Sequence, residues 1–302
     1  KNIVLNYITG GWSAGMSNLR TLDSMEKTHP DMDFNNPWPI NFHVMGNLPS
    51  ETNFSKAAKR TLETQWIFDE ERRYKEAIKN NQTNYSSDFT YSLNKQGWRC
   101  DNFEDMDFRM QSIIYLGCSH TFGYSIPEEE VWCSQLHKMI EKEANKKYNL
   151  INLGVPGGSV DEWLRFIPYI KKFNPAMIIS NTPHVSRMLY IGDECDMPIP
   201  LNISMDSKYL RKTIKIYEQL SLHAKDWFTY KHHMTLNVMQ SFCETLNINF
   251  YESSFPIMTD DLKANVEELK HSQSKFGRDG SHVGFGINNH YARTMLRRIT
   301  NE

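Results

Sequence analysis

Long hydrophobic runs are missing from this 302-residue sequence, which has no apolar stretch near the ~20 residues that cross a bilayer as a helix. Its start also lacks the basic and apolar segments of a signal peptide. Charge of one sign is scarce as well, since the formal net charge is -2 at pH 7. We therefore expect an ordinary soluble protein with no membrane partner and no nucleic-acid partner.

Cysteine is scarce and is not spaced for metal binding. The five cysteines are an odd number without a Cys-x-x-Cys pair, which argues against a disulfide framework and against a zinc site. His232 and His233 are adjacent, so on a helix their side chains would point about 100 degrees apart and would chelate one metal poorly. We expect no metal and no cofactor, and mostly free, buried thiols at Cys100, Cys118, Cys133, Cys195 and Cys243.

The first third of the chain, residues 1–110, differs in pattern from the rest. Residues 1–52 show no sustained period and are interrupted by glycine and proline, which is typical of an irregular arm. The two tryptophans of this arm would dock on the main domain or bind a partner. From Phe54 to Asn80, a charged pattern with periodic apolar residues predicts a long amphipathic helix. A lead-in strand over 89–93 and a turn at Asn94–Gly97 follow.

Residues 111–302 alternate between short apolar runs and helical patterns. Such alternation predicts the α/β class, with a parallel sheet covered by helices on both faces. The predicted strands are 112–117, 150–153, 176–180 and 248–251. Helices are predicted from the capping boxes Ser125-x-x-Glu128 and Ser159-x-x-Glu162, and over about 286–298 at the end.

An insertion at about 187–245 interrupts this alternation. Its first part, residues 187–206, has no clear period and contains two prolines, so we predict a loop. Its second part, from about Ser207 to Thr245, predicts a long helical tract with a break near His232 and His233.

Three short blocks, far apart in the chain, carry the residue types of a hydrolytic site. They are Gly-Cys-Ser-His-Thr-Phe-Gly at 117–123, Asn-Leu-Gly-Val-Pro-Gly-Gly-Ser at 152–159 and Asp-Gly-Ser-His at 279–282. Each is common alone, but the first two follow predicted strands. Because sites in parallel α/β sheets lie at the carboxyl ends of strands, this setting favours a shared site.

A serine hydroxyl is a poor nucleophile until a neighbouring base takes its proton. His282 is the candidate base for Ser119, and Asp279 could accept its Nδ1 proton and leave Nε2 facing the serine. Amides at helix N-termini stabilise a developing oxyanion, and those of Ser119 and Gly157 are placed for that task. Taken one at a time, Ser119 could instead be a helix-capping serine and His282 a surface-loop histidine.

The three blocks resemble those of the SGNH, or GDSL-type, hydrolases. The resemblance covers about 112–299, and Tyr91–Arg99 is similar to the lead-in of some members. It implies a three-layer α/β/α sandwich with a flavodoxin-like parallel sheet, and the hydrolysis of esters. Ser119 would be the nucleophile and first oxyanion donor, and Gly157 the second donor. The block Asp279–His282 would complete a catalytic triad.

Two departures from the family pattern stand out. Cys118 replaces the aspartate of the GDSL name, a residue without a catalytic role. The Gly-x-Asn-Asp block is missing after the third strand, where the sequence reads Ser-Asn-Thr-Pro-His-Val-Ser-Arg over 180–187. Asn181 or His184 would then supply the missing oxyanion donor, with Asn181 preferred. His184 and Arg187 are candidate substrate-binding residues, and Arg187 would hold a carboxylate or phosphate, or form a surface salt bridge.

These features lead to two functional hypotheses. The first is a serine esterase that deacetylates a glycan or polysaccharide, with acyl transfer to a sugar hydroxyl as a related alternative. The second is a non-catalytic structural or receptor-binding protein of a virion that uses this fold as a scaffold. An Asn-rich, Ala-poor composition is typical of AT-rich genomes such as those of many phages, so we expect a cytoplasmic or virion-associated protein. In the enzyme, residues 1–80 would fold back on the core; in the scaffold, they would contact a protein partner or another copy.

Overall fold

The computed structural model describes residues 62–67, 70–85, 88–185, 187–190, 199–202, 229–254 and 276–301. The predicted arm at 1–52 and the start of the predicted helix at Phe54 lie outside the described residues. In chain order the described strands are β1 (Leu62–Thr64), β2 (Tyr91–Leu93), β3 (Ser112–Gly117), β4 (Asn149–Gly154), β5 (Pro175–Thr182), β6 (Arg187–Tyr190), β7 (Ile199–Asn202) and β8 (Asn249–Ser254). The described helices are α1 (Glu70–Lys79), α2 (Ser119–Phe122), α3 (Trp132–Ala144), α4 (Asp161–Leu164), α5 (Ile167–Ile170), α6 (229–245) and α7 (Phe285–Thr300).

A four-stranded parallel sheet forms the centre of the fold. Its strand order is β4-β3-β5-β8, and every neighbouring pair is parallel. Strand β3 is buried along its whole length, as expected when helices cover both faces of a parallel sheet. The four strands predicted after residue 110 are therefore confirmed, and β4, β5 and β8 extend further than predicted at their carboxyl ends.

Successive residues of β3 point into opposite layers, because side chains alternate along a strand. Ile113 and Tyr115 lie in one buried cluster with α3 and α7. Ile114 and Leu116 lie in a second cluster with α4, α5 and α6. The domain is a three-layer α/β/α sandwich with a flavodoxin-like strand order, which confirms the predicted fold class.

A long helix was predicted from Phe54 to Asn80. This prediction is wrong for residues 62–67, which are described and are not helical. Residues Leu62–Thr64 form β1, which pairs antiparallel with β2, and helix α1 begins only at Glu70. The pairing partner lies about thirty residues later in the chain, so periodicity within one window could not reveal it. Acidic residues, Glu70 and Glu71, open α1, where the positive end of the helix dipole favours them.

The two predicted capping boxes have different outcomes. Ser125 does not cap a helix: its φ is 69°, and its hydroxyl donates to Oε1 of Glu70 at 3.1 Å. A 3-10 turn over Glu128–Glu130 follows it, and α3 begins after that turn. The hydroxyl of Ser125, which the local pattern assigned to a helix cap, therefore donates to the buried carboxylate of Glu70 instead. Ser159 does accept the N–H of Asp161 at 3.2 Å, just ahead of α4.

Where the structure describes the insertion, at 187–190, 199–202 and 229–245, it is more regular than the sequence predicts. Strands β6 and β7 pair antiparallel, so the loop prediction is wrong at 187–190 and 199–202. Pro200 lies in β7 of this two-stranded sheet, whose edges tolerate a missing N–H. Helix α6 continues through His232 and His233, so the predicted break is wrong there as well. Neither histidine breaks a helix as proline does.

The cysteine prediction is confirmed where the structure describes it. The free, buried thiols are those of Cys100, Cys118, Cys133 and Cys243, while Cys195 lies outside the described residues. Across the described part of the chain, no helix is long and apolar enough to cross a membrane. In the same residues, no three His, Cys, Asp or Glu side chains are grouped to hold a metal ion.

Candidate active site

Ser119 is the first residue of α2, two positions after β3 ends at Gly117. Strand β3 has β4 on one side and β5 on the other, so Ser119 lies at the switch point where α/β sheets bind ligands. The turn into α2 is tight: a Cβ on Gly117 would lie 2.0 Å from Oγ1 of Thr121. Glycine is therefore required for this turn to form.

A continuous chain of hydrogen bonds joins the serine, the histidine and the aspartate. Oγ of Ser119 lies 3.0 Å from Nε2 of His282. Nδ1 of His282 lies 2.7 Å from Oδ2 of Asp279. An ionised Asp279 accepts the Nδ1 proton, which leaves Nε2 able to accept a proton from the serine. The fold thus brings together three residues that the sequence separates by up to 163 positions.

The carboxylate of Asp279 is saturated with hydrogen-bond donors. Oδ1 accepts the N–H of His282 at 2.9 Å and that of Ser281 at 3.1 Å. Oδ2 also accepts the Ser281 hydroxyl at 2.6 Å. Burial on its own raises the pKa of Asp279, but the hydrogen bonds and charge of His282, with the hydrogen bond of Ser281, outweigh it and hold the pKa below its usual range. The carboxylate is therefore ionised and held in one orientation.

The second block is fastened directly to α2. Nδ2 of Asn152 donates to the carbonyl of Thr121 at 2.8 Å, and its Oδ1 accepts the N–H of Gly154 at 3.0 Å. A Cβ on Gly154 would lie 2.2 Å from the backbone N of Phe122. The end of β4 can approach α2 this closely only because residue 154 is glycine. The turn that carries Gly157 is thereby held beside the start of α2.

The backbone N–H groups of Ser119 and Gly157 lie in these blocks. They donate to no protein atom among the described residues. Gly157 has a φ of 77°, a conformation that glycine adopts without strain. Amides at a helix start and in such a turn are the kind of donor that stabilises an oxyanion. Their role as oxyanion donors stays a prediction.

Asn181 lies inside β5 rather than in the loop that follows it. Its side chain is almost fully buried on the face of Ile179, which packs against α7. The hydroxyl of Tyr291 lies close to this amide, yet the Nδ2 makes no hydrogen bond with good geometry to any described residue. A buried donor in this state is uncommon, and its predicted oxyanion role stays a prediction.

The two candidate substrate-binding residues lie beyond β5. His184 is exposed, and Arg187 begins β6 half-buried. Nη1 of Arg187 lies 3.5 Å from the carbonyl O of Gly158, the residue after Gly157. Within the described residues, Arg187 forms no salt bridge, and its side chain lies beside the second block. Substrate binding by either residue stays a prediction.

The rings of Tyr124 and His120 flank His282, and neither residue was predicted from the sequence to belong to the site. The ring centroid of Tyr124 lies 4.6 Å from that of His282, and the centroid of His120 lies 5.4 Å from it. Burial lowers the pKa of His120 to about 3, with smaller effects from the charges of His282 and Arg187. His120 is therefore neutral. Its position next to Ser119 was the available signal, but adjacency does not tell which way a side chain points.

Replacing His120 with glutamine should reduce the acid sensitivity of the fold. In the unfolded chain the imidazole has its ordinary pKa of 6.5, whereas in the folded protein the pKa is about 3. Between these values the unfolded state binds up to one more proton, so the free energy of unfolding falls as pH falls, by at most about 1.4 kcal/mol per pH unit for this group. Urea unfolding of both proteins at several pH values between about 4.5 and 6.5 measures the two slopes. Equal slopes would contradict a neutral imidazole at His120 in the folded state.

Arg99, at the end of the lead-in, holds the backbone that follows α2. Its buried guanidinium donates to the carbonyls of Phe122 at 3.4 Å, of Gly123, and of Ile126 at 2.9 Å. The same group lies 4.7 Å above the ring of Tyr91. A cation stabilises carbonyls at the carboxyl end of a helix, so Arg99 fixes the far end of the turn that begins at Ser119.

Comparisons with known proteins give structural matches alone. No protein-family model matches the chain, and no curated protein does. A member of the lipolytic protein G-D-S-L family from Veillonella parvula is 18% identical, with 64% of this chain and 100% of that chain covered and a TM-score of 0.32. A mutant of the acetyl-xylooligosaccharide esterase Axe2 from Geobacillus Stearmophilus is 13% identical, with coverages of 64% and 95% and a TM-score of 0.34.

A third match is to an acetyl xylan esterase, AlAXEase, which is 14% identical, with 62% of this chain and 99% of that chain covered. Its TM-score is 0.32. At these identities the likeness concerns the fold alone. The chain is similar to solved structures of esterases and acylhydrolases, one of them described as a member of the lipolytic protein G-D-S-L family.

Proposed function

We propose that the protein is a serine esterase in which Ser119 attacks an acyl carbon. The observation that carries the proposal is the unbroken hydrogen-bond chain from Oγ of Ser119 through the ring of His282 to Asp279, with distances of 3.0 Å and 2.7 Å. Both bonds are within the reach required for proton transfer to a general base and for orientation of that base. A helix-capping serine needs neither partner.

In the proposed reaction, Nε2 of His282 takes the hydroxyl proton of Ser119 as Oγ bonds to the acyl carbon. The negative charge moves to the carbonyl oxygen, which accepts hydrogen bonds from the N–H groups of Ser119 and Gly157. The imidazolium, stabilised by Asp279, then gives its proton to the departing alcohol, and the carbon–oxygen bond to that alcohol breaks. Water attacks the acyl-serine with His282 again acting as base, which releases the carboxylic acid and restores Ser119.

The third oxyanion donor is proposed to be Nδ2 of Asn181, which is buried and has only the nearby Tyr291 hydroxyl as a poorly aligned partner among the described residues. In another hydrolase, removal of one such donor costs about 100- to 1000-fold in kcat. Asn181→Ala with retained fluorophosphonate reactivity but a lower kcat would support this assignment.

Acetylated glycans come first among the proposed substrates. This choice rests on the resemblance of the three sequence blocks to SGNH hydrolases, and two of the matched structures are an acetyl xylan esterase and an acetyl-xylooligosaccharide esterase. A panel of acetyl, butyryl and octanoyl esters, and of acetylated xylan, tests the acyl group and the alcohol separately. Addition of a sugar acceptor distinguishes acyl transfer from hydrolysis, because transfer yields an acylated sugar in place of the free acid.

Covalent labelling by a fluorophosphonate tests the proposal directly, since this probe reacts with activated serines. We expect one adduct on the wild type by intact mass, mapped to Ser119 by peptide analysis, and none on Ser119→Ala. Ser112→Ala is the matched control, because Ser112 begins the same strand at its opposite end, where its hydroxyl donates to the carbonyl of Phe173. It should be labelled like the wild type. Folded wild type without an adduct would overturn the esterase and leave the non-catalytic scaffold.

The described part of the N-terminal region bears on that alternative. Residues 62–67 and 70–85 fold back on the α/β core, with Glu70 of α1 bonded to Ser125 and to Arg278. This arrangement is the one the enzyme hypothesis expects for those residues. Binding through residues 1–61, which lie outside the described residues, remains a separate proposal, to be tested by the oligomeric state and by binding of the full chain.

A further inference from the structure

A fully buried ion pair connects α1 to the block that contains Asp279. Nε of Arg278 lies 2.7 Å from Oε1 of Glu70, and its Nη2 lies 3.1 Å from Oε2. The remaining donors of Arg278 reach the backbone carbonyls of Phe89 and Gln65. Burial of two charges is tolerated only where hydrogen bonds replace the lost water, and here the guanidinium makes bonds with each of its three nitrogens. Arg278 directly precedes Asp279 in the chain.

Glu70 also reaches the segment that follows Ser119. Its Oε1 accepts the hydroxyl of Tyr91 at 2.8 Å and that of Ser125 at 3.1 Å. The Tyr91 hydroxyl in turn accepts the N–H of Ser125 at 2.8 Å. The carbonyl of Ser125 accepts the N–H of Arg278 at 2.8 Å, which closes the network. One carboxylate therefore holds both the turn after the nucleophile and the turn before Asp279.

Helix α1 also touches the Asp-x-x-His turn itself. Gly280 has a φ of 69°, and a Cβ there would lie 2.7 Å from Cβ of Ala77. Nη1 of Arg73, one turn from Glu70, lies 3.9 Å from Oδ2 of Asp279. The turn therefore packs against helix α1, although no residue of this helix belongs to the three blocks.

We propose that Glu70 is a positioning residue that sets the distance between Oγ of Ser119 and Nε2 of His282. This inference rests on the proposed function, because it concerns the same nucleophile and base. The 3.0 Å separation depends on two chain segments that Glu70 joins. A displacement of about 1 Å between reacting groups can cost about 100-fold in rate.

Glu70→Gln tests the proposal, with Glu71→Gln as the matched control. Glu71 is the next residue of α1, and its carboxylate is exposed and pairs with Lys75 at 2.7 Å. We expect Glu70→Gln to lower kcat by about 10- to 100-fold with KM changed by less than about twofold. Glu71→Gln should retain the kcat of the wild type. Folded Glu70→Gln with the kcat of the wild type would overturn the proposal.

Tyr91→Phe keeps the proposal testable if the loss of charge at Glu70 prevents folding. It removes the hydroxyl that joins Glu70 to the N–H of Ser125 but leaves the ion pair with Arg278 in place. We expect kcat to fall by about 3- to 10-fold, again with little change in KM. An unchanged kcat in this folded variant would count against positioning through the network.

A spectroscopic measurement separates this inference from the proposed esterase activity. The proton on Nδ1 of His282, bonded to Asp279 at 2.7 Å, should give a low-field imidazole N–H signal in the NMR spectrum of the wild type. We expect Glu70→Gln to weaken or shift that signal and Glu71→Gln to preserve it. This readout needs no turnover, so inactive wild type would overturn the esterase alone. A signal unchanged in Glu70→Gln would overturn the positioning role alone.

Discussion

Replacement of His282 with alanine is expected to lower kcat for ester hydrolysis by about four to six orders of magnitude while the protein stays folded. The imidazole is the only group bonded to Oγ of Ser119 among the described residues, at 3.0 Å, so its removal leaves the hydroxyl proton without an acceptor. Residual turnover would come from the free amides of Ser119 and Gly157, which still stabilise the oxyanion. Steady-state kinetics with a short-chain acyl ester, together with the loss of fluorophosphonate labelling, measure the effect.

The control for this variant is His290→Ala. His290 lies on α7, eight residues after His282, and its side chain has no described contact to the site. It should retain kcat within a factor of about two. If His282→Ala kept more than about a tenth of the activity of the wild type, another group would be the base, and the proposed mechanism would be wrong.

Asp279→Asn is expected to lower kcat by about 10⁴-fold with the fold retained, as the equivalent change does in a serine protease. An asparagine can still accept the N–H groups of Ser281 and His282 through Oδ1, so the turn is preserved. Its amide, however, would donate to Nδ1 of His282 and favour the tautomer with a proton on Nε2. That tautomer directs a proton toward Ser119 and cannot accept one.

Asp107→Asn is the matched control for the aspartate. Asp107 is exposed and pairs with Arg109 at 2.7 Å, before the start of β3, and hydrogen bonds from Arg109 lower its pKa to about 2. Both variants therefore remove a carboxylate with a depressed pKa, but only Asp279 contacts the base. Equal activities for the two variants would contradict the orienting role. The depressed pKa of Asp279 also means that its carboxylate stays charged throughout a neutral assay, so its titration should not appear in the pH–rate profile.

Much of the α/β core could be predicted because its signals are local. Each central strand is a short apolar run, and a parallel sheet buries such runs on both faces. The meeting of the Ser119 and Gly157 turns followed from a general rule, since blocks after strands of a parallel sheet gather at one edge. His282 follows no central strand, and its pairing with Ser119 was predicted from residue type and from the resemblance to SGNH hydrolases. Sequence patterns did not predict the distances between Ser119, His282 and Asp279 or the orientation of the imidazole ring. These depend on packing between segments up to 163 residues apart.

The features that escaped prediction share a non-local cause. Leu62–Thr64 forms a strand only because Tyr91–Leu93 lies beside it. Ser125 turns its hydroxyl to Glu70 because a buried carboxylate without water needs donors. The Glu70–Arg278 pair spans 208 positions. In the sequence around each residue, nothing distinguishes it from an ordinary charged residue on the surface. These residues matter to the fold because they are buried. The local sequence does not predict that a single charged residue will be buried.

The 208-residue span between Glu70 and Arg278 also has a consequence for biosynthesis. A ribosome adds about 5 to 20 residues per second, so Ser119 emerges many seconds before the segment that carries Asp279 and His282. Until then the nascent chain holds a serine without its base, and Glu70 without its guanidinium partner. In the proposed mechanism, the triad would therefore be completed late, after the central strands β3, β4 and β5 have been made. If Ser119 is the nucleophile, as proposed, the growing chain would have no base for it until synthesis has passed His282.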